Sequence, residues 1–210
     1  MVTPDYGFTY NGQLVSPSAY GPDYIPELTK ILENLETRPR AVLEWGSGLT
    51  TQVLAAFAEH VWHSDLLLSL DDNFDYQSAI FRDRAEPSCL TLKCLDLTGP
   101  CRDQRDRELN YSTYPLAHSC KFDLIFIDGR RRIECAFVAF LVSHPNTTVI
   151  LHDFRRSRYQ PVVVLYDIVF EGAQFRVLRP RSKVLSAMEP GIVGLDMYMK
   201  CLSYNMWTGS

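Results

Sequence analysis

Ala41–Thr51 reads AVLEWGSGLTT: an apolar run carrying one acid, two glycines one residue apart, then hydroxyl residues opening a helical stretch. A strand, a tight turn and a helix in that order put a ligand at the carboxyl edge of a parallel sheet. Gly46 and Gly48 let the backbone turn sharply and approach that ligand without a Cβ in the way. The helix that follows offers unpaired N–H groups, with Ser47, Thr50 and Thr51 around its start. Glu44, two residues before the first glycine, discriminates among ligands. A carboxylate there repels a pyrophosphate, and Thr51 stands where the dinucleotide pattern G-x-G-x-x-G requires glycine. A cofactor carrying a cationic sulfonium and an ammonium is favoured instead.

Outward from this stretch, apolar runs alternate with helical segments. Tyr24, Ile25, Leu28, Ile31, Leu32 and Leu35 recur at helical spacing behind Asp23, a candidate cap, with Pro26 in the first turn. After the strand Ala41–Trp45 comes a helix from about Thr50 to His60. A buried strand Leu66–Leu70 ends in Asp71-Asp72, a helix spans roughly Asp75–Arg84, and Cys89–Leu95 is a third strand. Residues 97–121 form a long irregular loop. Phe122–Ile127 is the clearest strand, closed by Asp128-Gly129, and a helix Arg130–Ser143 follows. Thr147–Leu151 is closed by His152-Asp153; Pro161–Phe170 is expected to be helical, and Phe175–Leu178 and Ile192–Leu202 to be strands. This alternation implies an α/β fold, a doubly wound and mostly parallel sheet. Residues 1–40 form an N-terminal arm and helix, expected to cover the acceptor site, and 41–210 form the main unit of one compact domain.

Composition sets outer limits. The 210 residues suit a single domain with a full core, and 46% hydrophobic with 22% charged residues is ordinary for a soluble globular protein. A formal net charge of −4 gives no general attraction to nucleic acid or anionic membranes. No apolar run approaches the ~20 residues that span a bilayer, and the start of the chain lacks the features of a secretory signal. The six cysteines form no C-x-x-C pair, which favours reduced thiols and a cytoplasmic protein over a zinc site.

Polar groups stand at five strand ends: Glu44 with its glycines, Asp71, Asp96, Asp128 and His152-Asp153. Open α/β sheets bind ligands at that edge. One acid at a strand end caps a helix or faces water; five in register make a site. The segment from Glu44 to Gly48 resembles motif I of the class I S-adenosylmethionine (SAM)-dependent methyltransferases, with Thr50 at the position of a frequent third glycine. FDLIFID at 122–128 resembles motif IV of that family, and together with Leu151–Phe154 it is similar to the small-molecule and sugar O-methyltransferases.

The resemblance covers about residues 41–202 and implies a seven-stranded sheet whose last strand inserts antiparallel. It implies SAM as cofactor, with Asp71 on the ribose hydroxyls, Asp72 as its rival, Asp96 near the adenine amino group, Glu44 drawing the ammonium and Asp128 beside the methionine portion. Asp128 and Asp153 match two positions that bind a divalent cation in some relatives, so Mg²⁺ is a minority expectation. The third ligand is missing, because Phe154 follows Asp153 and His152 precedes it. His152 is a candidate general base for methyl transfer to a hydroxyl, with Asp153 the alternative.

Two arginine triplets, Arg130–Arg132 and Arg155, Arg156 and Arg158, emerge near the acceptor side. Arg130 and Arg155 are the candidates for holding an anionic or densely hydroxylated small molecule or carbohydrate. The competing readings are a nucleic-acid methyltransferase and a non-catalytic SAM-binding protein of the same fold. The first is opposed by the negative charge and by the lack of an Asn/Asp-Pro-Pro-aromatic motif after the fourth strand.

Overall fold

The computed structural model of the chain describes residues 8–10, 13–15, 24–82, 85–97, 110–155 and 157–188. A small antiparallel hairpin, β1 (Phe8–Tyr10) and β2 (Gln13–Val15), precedes helix α1 (Ile25–Glu33). Then follow β3 (Ala41–Trp45), α2 (Leu49–Phe57), β4 (Leu66–Asp71), α3 (Phe74–Ala79) and β5 (Leu90–Cys94). The second half holds β6 (Phe122–Ile127), α4 (Arg132–Leu141), β7 (Ser143–His152), β8 (Tyr166–Glu171), β9 (Phe175–Pro180) and α5 (Ser182–Met188).

Seven strands form one sheet in the order β5-β4-β3-β6-β7-β9-β8. The strands β5 to β7 run parallel, and β9 lies antiparallel between β7 and β8. Parallel strands covered on both faces must be apolar on both faces. Accordingly Val42, Leu43 and Trp45 of β3 and Leu124–Ile127 of β6 are buried without alternation. Leu43, Trp45, Ile125 and Ile127 join α4 in one core cluster, while Val42, Leu124 and Phe126 join α1 and α2 in the other. The sheet is therefore doubly wound. The chain moves outward from β3 to β5 and returns to β6, so the crevice that binds ligands in such sheets opens between the ends of β3 and β6.

Two expectations are corrected. Pro161–Phe170 is not one helix: a 3-10 helix covers Ser157–Val164 and the edge strand β8 begins at Tyr166. Pro161 and the three valines after it do sit in a helical segment, but Tyr166–Glu171 adds to the sheet as β8, exposed at all positions except Tyr166. The helix expected to reach His60 ends at Phe57 and continues as a π-helical turn, Ala58–Trp62, closed by His63 in the left-handed region. Asp23, most of the arm, the middle of the 97–121 loop and the strand expected at Ile192–Leu202 lie outside the described residues. Among those described, no helix is long and apolar enough to cross a membrane, and Cys89, Cys94, Cys120 and Cys135 are free.

Candidate active site at the carboxyl edge of the sheet

Strand pairing sets the parallel strand ends level. Trp45 lies opposite Leu70 and Ile127, Asp71 opposite Cys94, and Ile127 opposite Leu151. Glu44, Asp71, Asp96, Asp128 and Asp153 therefore leave the sheet at one edge. Their fields overlap. The thiol of Cys94 is pushed up by burial and then by the charges of Asp71, Asp96 and Asp72. Tyr24 is pushed up to about 12 by burial first, then by the charges of Asp128, Tyr76 and Glu44. Its hydroxyl stays protonated at neutral pH.

The glycine turn is built by close backbone approach. Gly46 has φ +98, and a Cβ on it would run into the backbone of Gly129 and the carbonyl carbon of Asp128. Trp45 O accepts from both Asp128 N–H (2.8 Å) and Gly129 N–H (2.7 Å), which ties the β3 turn to the β6 turn. At Gly48 a Cβ would lie 3.0 Å from the Tyr76 hydroxyl. Absence of that methyl lets the Tyr76 side chain pack against the start of α2, and Thr51 Oγ1 accepts the Gly48 N–H there (2.7 Å).

Glu44 is fully buried beneath this turn. Thr50 Oγ1 donates to its Oε1 at 2.7 Å, and Thr51 Oγ1 and Ser69 Oγ each donate to Oε2 at 2.6 Å. Ser47 and Ser69 hydroxyls lie 2.7 Å apart, and Gln77 Nε2 donates to Ser47 Oγ at 2.9 Å. Burial outweighs these bonds and raises the carboxyl to about 7. The side chain thus anchors the turn through three hydroxyls. Asp71 is buried at the end of β4, and its Oδ1 accepts from Asn73 N–H at 2.8 Å. Burial raises its pKa against backbone hydrogen bonds from Asn73 and Ser47. Asp96 is exposed beyond β5.

On the β6–β7 side, His152 Nδ1 lies 2.7 Å from Asp128 Oδ1. A carboxylate accepts there, which holds the imidazole in its Nδ1–H tautomer and leaves a lone pair on Nε2. Nε2 is buried and has no hydrogen-bond partner among the described residues. The ring sits between Tyr24 and Phe175, with both centroids 4.8 Å away. Phe175 is there because it pairs directly with His152 across β7 and β9. Tyr24 is held by α1, whose Glu27 accepts from the N–H groups of Gln174 and Phe175.

The arginines divide differently from the sequence reading. Arg130 is 73% exposed, its Nε 3.6 Å from Asp72, and the exposed Arg155 reaches Gly172 O at 3.5 Å. Arg131, 18% exposed, has its Nε 3.7 Å from the buried Glu134, and Arg132 turns in toward the site. It contacts Asp128 Oδ1 at 2.7 Å and Asp153 Oδ2 at 3.2 Å. Its guanidinium therefore stands between the two carboxylates once read as ligands for Mg²⁺, and the donor set does not fit a divalent cation. No group of three or more His, Cys, Asp or Glu side chains suited to a metal occurs among the described residues. Ser69, Tyr24, Tyr76 and Phe175 also belong to the site, and nothing in their sequence spacing marked them.

No family model and no curated protein matches the sequence. Solved structures do match. One is a methyltransferase-like protein from Silicibacter pomeroyi DSS-3, 17% identical, with TM-score 0.57 over 74% of this chain and 86% of that one. An O-methyltransferase from Bacillus cereus in complex with SAH is 16% identical, with TM-score 0.53 over 74% and 81% of the two chains. A ribosomal protein L11 methylase from Lactobacillus delbrueckii subsp. bulgaricus is 15% identical, with TM-score 0.52 over 77% and 81%. The strand order, the glycine turn at the β3–β6 crevice and these likenesses agree: the chain has the Rossmann-like fold of the class I SAM-dependent methyltransferases.

Proposed function

We propose that the chain is a SAM-dependent methyltransferase that methylates a hydroxyl of a sugar, a glycan terminus or another small acceptor. The observation that carries the reading is the part-buried His152–Asp128 pair beside the glycine turn. The cofactor supplies an electrophilic methyl group on a sulfonium. When bound, its ribose hydroxyls would be held by Asp71 at the end of β4, its adenine by Asp96, and its cationic end would face Glu44 and Asp128. The turn at Gly46–Thr51 would hold the group: packed backbone to backbone against Gly129, it sets the start of α2 at the carboxyl edge of the sheet.

His152 Nε2 would take the proton from the acceptor hydroxyl during methyl transfer. Transfer would leave a methyl ether on the acceptor and a neutral thioether on the cofactor, the C–S electron pair staying on sulfur. Asp128 stabilises the imidazolium through Nδ1–H and keeps the ring oriented. Tyr24 and Phe175 hold the imidazole from either side and exclude water. With Tyr24 at its start, the segment before β3 acts as the cover of the acceptor site. Arg130 and Arg155, exposed at the same edge, suit an anionic or hydroxyl-rich acceptor.

The test is transfer of a labelled methyl group from SAM to a panel of sugars and small hydroxylated acceptors. The wild type should label at least one of them. His152→Gln should label it about 100-fold more slowly or worse, with affinity for S-adenosylhomocysteine (SAH) unchanged. Undiminished turnover in His152→Gln would remove the histidine from the chemistry. SAM binding without labelling of any acceptor would favour the non-catalytic alternative.

A further inference from the structure

We propose that Arg132 is a built-in cation, taking between Asp128 and Asp153 the place that a divalent metal would occupy, and that it aligns the two strand ends of the site without metal. Four hydrogen bonds and one further ion-pair contact run from this guanidinium to oxygens. Nε donates to Gly129 O (3.1 Å), Nη1 to His152 O (2.9 Å) and Asp153 Oδ2 (3.2 Å), and Nη2 to Asp128 O (2.8 Å), with Asp128 Oδ1 at 2.7 Å. One side chain therefore binds the carbonyls after β6, the carbonyl at the end of β7 and a carboxylate from each.

Local backbone geometry is arranged for this contact. Arg131, just before α4, has φ +53, and Asp153, just after β7, has φ +59. Non-glycine residues enter the left-handed region at a cost and stay there when the surroundings fix them. The first turn brings Arg132 under the site instead of into solvent, and the second folds the Asp153 carboxylate back onto it. The Arg132 side chain is only 13% exposed, with the Tyr159 ring 5.6 Å from its Cζ, so solvent screens its charge little. A Mg²⁺ ion at ~2.1 Å from the same carboxylate oxygens, with its waters, would need the volume the guanidinium fills. His152 gains its orientation at both ends: its ring from Asp128, its carbonyl from Arg132.

This inference concerns the charge of the site and stands whether or not the acceptor is a sugar. Its test is Mn²⁺ binding, read by electron paramagnetic resonance and by the shift in melting temperature. The wild type should bind no Mn²⁺ at this site. Arg132→Ala, with the guanidinium gone from between the two carboxylates, should bind it about tenfold more tightly or better than any wild-type background and gain melting temperature from it, and Arg132→Ala/Asp153→Asn should lose both effects. Guanidinium ion should raise the melting temperature of Arg132→Ala alone. Mn²⁺ bound by the wild type and lost in Asp153→Asn would overturn the proposal, and that comparison needs no arginine variant to fold. A folded Arg132→Ala with unchanged Mn²⁺ affinity would also overturn it.

Discussion

Glu44 shows how a single side chain can serve a site it does not openly line. Its carboxylate is sealed under the glycine turn, yet its ionisation reaches Tyr24 and couples to Asp128. Because burial raises its pKa to about 7, the folded state holds this proton more tightly than the unfolded chain does. Stability contributed by this residue therefore falls as pH rises from about 4.5 to about 7 and stays low above. The loss is on the order of 3 kcal/mol. Chemical denaturation at pH 5 and pH 7.5 should show it in the wild type and a much flatter response in Glu44→Gln, which cannot ionise. Equal slopes in the two proteins would mean that the three hydroxyls hold the carboxylate ionised in the fold.

Among elements, the turn between β3 and α2 is the most constrained, because it packs backbone to backbone against the turn after β6. Gly46→Ala adds a Cβ at φ +98 and drives it into Gly129; the expected loss is about 2 kcal/mol or more. Gly48→Ala, whose backbone is extended and whose new Cβ meets only the end of the Tyr76 side chain, should lose less than about 1 kcal/mol. Denaturation curves decide this, and similar losses at both positions would contradict the packing account. The same turn was readable in the sequence because strand, acid and glycines each constrain it locally. The strands β3 and β6 were readable because both faces are buried and Gly or Asp ends them. The edge strand β8 was not: its exposed β-branched residues show neither alternation nor a helical stripe, and Pro161 signals a helical turn that stops short of it. Arg132 was hidden for another reason. Three arginines in a row share one composition signal, and only the left-handed backbone at Arg131 selects which enters the site. Tyr24 and Phe175 meet His152 through tertiary packing that no spacing encodes.

At the scale of the whole molecule, the sheet sorts charge along its carboxyl edge. On one side of the switch point Asp71, Asp72 and Asp96 bear jointly on Cys94. On the other, Asp128, His152, Asp153 and Arg132 form a partly buried, mutually compensated group. Under the proposed function the first half would take the hydroxyl-rich, cationic cofactor and the second the acceptor that gives up a proton, with the glycine turn between them. That division is the central claim, and calorimetric titration of the wild type and Asp71→Ala with SAM, SAH and NADH tests it most directly. The account expects SAM and SAH to bind the wild type, Asp71→Ala to bind both about tenfold or more weakly, and NADH to bind neither protein. Absence of SAM and SAH binding to the wild type, or NADH binding that SAM fails to displace, would contradict it.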